Sequence, residues 1–254
     1  VQAKKSYGQH FLVNQGAADR IVAAAQAGPG TQVLEIGPGR GVLTGRLLAT
    51  GAAVTAIEAD PDLEADLRHR YPQLHLEIAN AVLYDFDRLG AGPFTLVSNL
   101  PYNVSKPLLM RFYAERRRFP RWVLMMQREV AERILARPGS KEWGPLGILL
   151  HNVCAVERIA DLGPNSFAPP PKVDSTVLKF DVRPAPLEDL GADAVRFADK
   201  LFQLFQERRK TVRNRFKALG RNPDELLAKF GLAGNERVET FDLPLLAAIV
   251  RELL

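Results

Sequence analysis

The chain has 254 residues, 46% hydrophobic and 25% charged, which is ordinary globular composition with enough length for a sizeable core. It carries one cysteine and a net charge of +5, so an intramolecular disulfide is excluded and polyanionic partners are favoured. No apolar run reaches the length of a membrane span, the first fifteen residues are polar and basic rather than signal-like, and a reducing cytoplasmic setting is the expectation. The chain begins at Val1 rather than Met, which leaves the native N-terminus open.

In chain order, Ile21 to Ala25 read as part of a short amphipathic helix, closed by Gly28-Pro29-Gly30. Gln32 to Ile36 is a short apolar run with the look of a buried strand, and it enters Gly37-Pro38-Gly39-Arg40-Gly41. Val42 to Ala49 has helical spacing. Ala53 to Ile57 forms a second strand candidate ending at Glu58, and Pro61 opens the next helix. Leu74 to Ile78, Phe94 to Val97 and Val123 to Met126 are the third, fourth and fifth strands. Strands alternating with helices at this spacing predict a parallel sheet covered on both faces. After Gly144, Ile148 to Val156 and Ser175 to Val182 read as strands that form an antiparallel edge. From Pro184 the pattern is helical only: Ala194 to Leu219, Pro223 to Phe230 and Leu243 to Leu253. The expected division is a catalytic domain over 1–184 and a small all-helical domain over 185–254.

A glycine-rich turn between strand and helix lets backbone approach a ligand closely. Glu58 ends the following strand, where doubly wound sheets commonly bind ribose hydroxyls. Gly37, Gly39 and Gly41 with Glu58 therefore point to a nucleoside-containing cofactor. The loop is not the usual dinucleotide fingerprint, because position 42 is Val. Ser98-Asn99-Leu100-Pro101-Tyr102 follows the fourth strand, at the carboxyl end of the sheet where ligands of open α/β folds bind. These residue types suit an exocyclic adenine amine, whose lone pair is delocalised into the ring. The Asn99 side-chain oxygen and the Leu100 carbonyl can accept its two hydrogens and favour a tetrahedral, nucleophilic nitrogen. Pro101 biases Leu100 toward extended geometry, and Tyr102 offers a stacking face for a flipped base. A plain strand-to-helix loop with a buried Tyr is the structural alternative.

The chain resembles the ribosomal RNA adenine dimethylases, and within them the small-subunit dimethyladenosine transferase branch. The segments that carry the resemblance are GQHFL at 8–12, LEIGPGRGVLT at 34–44, IEAD at 57–60, NLPYNVS at 99–105, QREVAERI at 127–134, FAPPPKVDS at 167–175 and RRKTVRN at 208–214. They span nearly the whole chain in family order. The resemblance implies a Rossmann-like α/β sheet that binds S-adenosylmethionine and releases S-adenosylhomocysteine, with Glu35 as the acidic residue before the glycine loop. It implies that His10 and Leu12 close over the cofactor. Gly37, Pro38 and Gly39 would hold the methionine end, Glu58 and Ala59 the ribose, and Asn80 and Ala81 the adenine. Asn99 would touch both cofactor and target amine, with Tyr102 and Phe167 sandwiching the base. The family usually has Asp where Asn80 stands; an amide oxygen still accepts a hydrogen bond there, without the charge, and Asp85 is a weaker substitute.

Two cationic clusters are candidate RNA contacts: Arg208, Arg209, Lys210, Arg213, Arg215 and Lys217 on one predicted helix, and Arg116, Arg117, Arg118 and Arg121 at the sheet's rim. Lys4 and Lys5 form a weaker third cluster. A solvated basic face is the bland reading of each. Phe202, Phe205, Val212, Phe216 and Leu219 make the expected buried stripe of that helix. The implied substrate is a pair of adjacent adenosines in the 3′-terminal hairpin loop of small-subunit rRNA, within an immature 30S particle, methylated by a monomer. No metal is expected: His10, His69, His75, His151 and Cys154 lack ligand spacing. The alternatives are a large-subunit rRNA methylase of the macrolide-resistance type, a DNA adenine methylase, a nicotinamide oxidoreductase and a non-catalytic assembly factor.

Overall fold

The computed structural model describes Lys4, residues 9–190 and residues 194–254. Lys5 and Gly8, which entered the expectations above, lie outside these residues. The elements run β1 (Phe11–Leu12), α1 (Gln15–Ala25), β2 (Gln32–Ile36), α2 (Val42–Ala49), β3 (Ala53–Glu58), α3 (Glu64–Arg70), β4 (His75–Ile78), β5 (Phe94–Asn99), α4 (Ser105–Ala114) and β6 (Arg121–Gln127). They continue with α5 (Arg128–Leu135), α6 (Pro145–Val153), β7 (Cys154–Leu162), β8 (Phe167–Ala168), β9 (Ser175–Val182), α7 (Ala194–Leu204), α8 (Val212–Ala218), α9 (Pro223–Phe230) and α10 (Leu243–Leu253).

The chain divides into two compact units, one of residues 1–131 and 155–183, the other of residues 132–154 and 184–254. The first is built on a seven-stranded sheet of order β4-β3-β2-β5-β6-β9-β7. Strands β2 to β6 pair in parallel, and β9 joins β6 antiparallel. The chain leaves β2 in one direction toward β3 and β4, then returns to its other side with β5 and β6. That reversal leaves a crevice at the carboxyl ends of β2 and β5. Ile36 faces Ser98 in register, so Gly37 and Asn99 emerge side by side. The Ser98 hydroxyl donates to the Ile36 carbonyl at 2.7 Å and pins the two strand ends together.

Apolar side chains cover both faces, as a parallel sheet requires. On one, Ile21 and Leu47 pack with Val33, Val97, Val123 and Val177. A second cluster is aromatic: Phe86, Phe112, Phe119, Trp122 and Phe180 form a chain of tilted and edge contacts with centroids 5.3–6.4 Å apart. Alternation along β6 separates Trp122 from Val123. A separate two-stranded ribbon pairs β1 with β8, setting Leu12 opposite Phe167.

The second unit is helical, with Phe197, Leu201, Leu204, Phe216, Leu246 and Ile249 buried. It includes the segment 132–154, which the sequence expectation placed before a division at 184. Polar bonds explain why this segment goes with the C-terminal helices. Trp143 Nε1 donates to the Phe241 carbonyl at 3.0 Å, and the Asn152 amide bonds the Glu188 backbone N–H and carbonyl at 2.7 and 3.0 Å. The expected strand over Ile148 to Val156 is corrected to helix α6 as far as Val153, with β7 starting at Cys154. Pro145 occupies its first turn, where a missing N–H costs nothing.

Candidate cofactor and base-binding site

The carboxyl ends of β2, β3 and β5 open onto a cavity of about 470 Å³, within the range of small-molecule sites. Its wall includes His10, Gly37, Gly39, Glu58, Ala59, Asn80, Ala81, Asn99, Leu100, Pro101 and Tyr102, all singled out from sequence. Gln9, Ile57, Val82 and Leu108 also line it, without having been singled out. Ile57 and Leu108 carry no polar signal that distinguishes them from core, whereas Gln9 lies inside the GQHFL segment.

Gly37 has φ of +69°, and a Cβ there would meet nothing within 4 Å. Backbone thus borders open space at the cavity wall, which fits a ligand that needs close main-chain approach. Gly39, at φ of +57°, would place a Cβ 3.0 Å from the Phe11 ring, so the turn and the N-terminal segment are matched in size. Leu12 and Pro38 stand beside the main cavity, on a small recess shared with Glu35 and Gly37.

Glu58 accepts the Gly39 N–H at 3.1 Å through one oxygen and the Asp60 N–H at 2.9 Å through the other. Burial pushes its pKa up, and these backbone bonds oppose the rise. A carboxylate offers about four acceptor sites, so these backbone bonds leave capacity for a ligand hydroxyl. Glu35 is fully inside, with the Thr44 hydroxyl donating at 2.7 Å. Burial raises its pKa to about 7, against the Thr44 bond and with help from the neighbouring Glu58 charge.

Asp60, in the IEAD segment, ties Lys4 and Gln9 to the strand that ends at the cavity. Its buried carboxylate receives Lys4 Nζ at 2.6 Å and Gln9 Nε2 at 2.9 Å. Burial alone would raise Asp60, but the Lys4, Gln9 and Asp62 hydrogen bonds outweigh it and hold the pKa below the usual value. Lys4 also pairs with Asp62 at 2.5 Å. These partners lie 51 and 56 residues away from Asp60, so no local pattern announces them.

Asn99 Nδ2 donates to the His10 carbonyl at 3.0 Å, which fixes the amide and turns Oδ1 to the opposite edge. Tyr102 is stacked on His10 with centroids 5.5 Å apart and 28° between planes. Its hydroxyl bonds Ser175 Oγ at 2.7 Å. Burial raises the Tyr102 pKa, opposed by the Ser175 bond. His10 is itself held by the Pro169 carbonyl, 2.9 Å from Nδ1.

Three expectations need correction. Phe167, expected opposite Tyr102, is 3% exposed and packs in the core from β8, off the cavity wall. Its pairing with Leu12 turns the ring inward. Asn80 lines the cavity, and its Oδ1 accepts the Val82 N–H at 2.9 Å with a second lone pair left over. Asp85 caps Asp87 N–H at 3.1 Å and does not stand in for it. The single basic helix over 194–219 is broken. Glu207 takes φ of +52°, α7 ends at Leu204 and α8 starts at Val212.

That break redistributes the cations. Arg215 is buried and donates to the Leu204 and Gln203 carbonyls at 3.1 and 2.6 Å and to Glu207 at 3.0 Å, so it is no RNA contact. Arg208 is half-buried and bonds the Trp143 carbonyl. Lys210 pairs with Glu207 at 3.0 Å and Arg213 with Asp224 at 2.6 Å. Arg209 and Lys217 are exposed, with no ion pair among the described residues. Of the other cluster, Arg118 pairs with Asp87 at 2.5 Å and Arg121 with Asp181 at 2.7 Å. Arg116 stacks on Tyr113, and Arg117 is exposed. Arg116, Arg117 and Arg118 precede β6 and Arg121 opens it, at the amino end of the strand and off the cavity wall. Among the described residues no group of three or more His, Cys, Asp or Glu could hold a metal ion, and no helix is long and apolar enough to cross a membrane.

A doubly wound sheet with a glycine turn after its first long strand and NLPY at its switch point defines an S-adenosylmethionine-dependent methyltransferase domain. The family described as ribosomal RNA adenine dimethylase matches residues 1–253. Ribosomal RNA small subunit methyltransferase A of Pseudomonas syringae pv. syringae is 39% identical over 98% of this chain and 93% of its own. The protein of that name from Synechococcus elongatus is 38% identical over 95% and 91%. Among solved structures, a dimethyladenosine transferase from Plasmodium falciparum superposes with TM-score 0.80 at 26% identity, covering 96% of this chain and 98% of that one. The 23S rRNA methyltransferase ErmE gives 0.71 at 25% identity over 96% and 99%. The chain belongs to the ribosomal RNA adenine dimethylase family.

Proposed function

We propose that this protein methylates N6 of two adjacent adenosines in the 3′-terminal hairpin loop of small-subunit rRNA, giving N6,N6-dimethyladenosine in an immature 30S particle. The small-subunit relatives over nearly the full chain support this substrate. The observation that carries the chemistry is the Asn99 amide, clamped by the His10 carbonyl at the mouth of the cavity. Held this way, Asn99 Oδ1 accepts one amine hydrogen and the Leu100 carbonyl accepts the other. Both acceptors favour the pyramidal nitrogen of the transition state over the planar ground state, which is where an acceptor lowers the barrier.

Gly37, Pro38, Gly39 and Leu12 would hold the amino-acid end of S-adenosylmethionine, Glu58 and Ala59 its ribose, Asn80 and Ala81 its adenine. Bound there, this cofactor supplies an electrophilic methyl on a sulfonium. Tyr102 stacks the flipped base and keeps water from the amine. Pro101 holds Leu100 extended. No tuned general base is required, because the methylated nitrogen is cationic and loses its proton readily. After one methyl is added a single hydrogen remains, so one of the two acceptors suffices for the second transfer. Arg209 and Lys217 neutralise rRNA phosphates. A cytoplasmic monomer without a metal completes the reading.

The test is methyl transfer from labelled S-adenosylmethionine to immature small subunits, large subunits and DNA, with nucleoside analysis. Dimethyladenosine in small-subunit RNA alone is the expected result. The same product in large-subunit RNA would instead favour an activity like the one ErmE is named for. Cofactor binding without transfer to any substrate would leave an assembly factor as the better reading.

A further inference from the structure

Beside the cavity lies a groove of about 510 Å³. The two share Gln9, His10 and Tyr102, so the stacked His10–Tyr102 pair is the partition between them. The floor on the far side is apolar, made by Pro170, Pro171 and the partly exposed Val173. Besides the shared Gln9 and His10 and the Asp60-bound Lys4, two polar side chains face it. Gln127 ends β6 directly across from Ser175, the residue that holds the Tyr102 hydroxyl. Cross-strand partners in an antiparallel pair project to the same face, which sets the Gln127 amide next to the Tyr102 ring. Lys172 is exposed on the groove. Among the described residues neither the Gln127 amide nor the Lys172 ammonium has a hydrogen-bond or ion-pair partner.

We propose that this groove binds the nucleotide next to the target adenosine, with Gln127 reading the base edge and Lys172 meeting its phosphate. The inference rests on the base-methylating function proposed above and adds a second subsite to it. Three features select this occupant. The groove continues from the reacting site through one aromatic wall, as successive bases of a looped strand do. A flat apolar floor with a stacking ring beside it suits an unstacked base. An amide offers a donor and an acceptor, which matches the N6/N1 or N6/N7 edge of adenine, and an unpaired cation fits the following phosphate. A strand has one polarity, so one adenosine of an adjacent pair fills the groove while the other reacts, and in the second reaction the groove takes the next nucleotide on the same side. Gln127 is a specificity residue here and touches no reacting atom.

The experiment uses the full chain and small subunits reconstituted with two rRNA transcripts, in which each of the two adenosines in turn is replaced by an abasic nucleotide. The abasic particle compared with the native one is that whose replaced base is the groove-side neighbour, identified as the slower of the two. Transfer of the first methyl to the remaining adenosine is followed for the wild type, Gln127→Ala and Lys172→Ala, with S-adenosylhomocysteine affinity as the check on folding. The wild type should lose roughly tenfold in kcat/KM on the abasic particle, from the lost stacking and edge contacts. Gln127→Ala should lose roughly 3- to 10-fold on the native particle and lose less than the wild type does on going to the abasic one. Lys172→Ala should raise KM with kcat unchanged. S-adenosylhomocysteine affinity should hold in both variants. Equal wild-type rates on the native and abasic particles would overturn the proposal. So would a Gln127→Ala loss that simply multiplies with the abasic loss. If Gln127→Ala does not fold, the wild-type comparison and Lys172→Ala still decide. A wild type that binds the cofactor product but methylates no native particle would sink the parent function; methylation indifferent to the neighbour sinks the second subsite alone.

Discussion

Glu35 lies close to Glu58 of the cavity wall, and burial raises both carboxyls. Glu35 has the consequence that can be measured. Its folded pKa of about 7 lies above the ordinary 4.5, so the unfolded chain releases this proton at lower pH than the folded one. Folding stability attributable to Glu35 is intact below the unfolded value and declines as pH climbs through about 7. The penalty above that pH is on the order of 3 kcal/mol. Glu35→Gln keeps an oxygen for the Thr44 hydroxyl and removes the charge. Its melting temperature should exceed that of the wild type by several degrees near pH 8, and the two should converge toward pH 4, in melting curves followed by circular dichroism. A constant offset at every pH would show that the amide acts through packing instead.

The broken basic helix shows how an element can invert the meaning of its residues. A helix end leaves carbonyls without internal partners. Arg215 reaches back from α8 to the last carbonyls of α7 and clips them at 2.6 and 3.1 Å. Removing it strands buried acceptors, at a cost of about 2–4 kcal/mol. Arg215→Ala should lower the thermal stability of the protein and leave S-adenosylhomocysteine affinity within about twofold. A drop in rRNA affinity at unchanged stability would return Arg215 to the RNA surface. The sequence did not reveal the break because no Gly or Pro stands between Leu204 and Val212, and the left-handed residue is Glu207. The misread run over Ile148 to Val153 failed differently. A continuous apolar stretch fits a buried helix as well as a buried strand, and period alone does not separate them. Where alternation and breakers agree, as from Gln32 to Ala49, strand, turn and helix were legible together. Within the site, glycines, Glu58 and NLPY were readable because backbone turns demand particular residues. The inward turn of Phe167 and the Asp60 tie were not, because each depends on a partner far along the chain.

At the scale of the whole molecule, the net charge of +5 is less informative than which cations remain unpaired. Glu207, Asp224, Asp87 and Asp181 each engage a cation that sequence had offered to RNA. In the C-terminal cluster that leaves Arg209 and Lys217, besides the exposed Arg117 at the amino end of the strands and Lys172 on the groove. Reversing both, Arg209→Glu with Lys217→Glu, should weaken binding to small-subunit particles roughly tenfold or more and lower the slope of log affinity against log salt by about 2. Titrations at several potassium chloride concentrations read both quantities, and an unchanged slope would mark the two as solvated surface. A last consequence follows from the ribbon that joins Phe11 and Leu12 to Ala168 and Phe167. Phe11 and Leu12, beside the cavity wall, are synthesised more than 150 positions before their strand partner. The sheet's own β9 comes later still, after the interposed 132–154 segment. A nascent chain therefore carries its glycine turn and its Asn99 long before it can close the cavity. The cell receives a competent pocket only when the first unit is essentially complete.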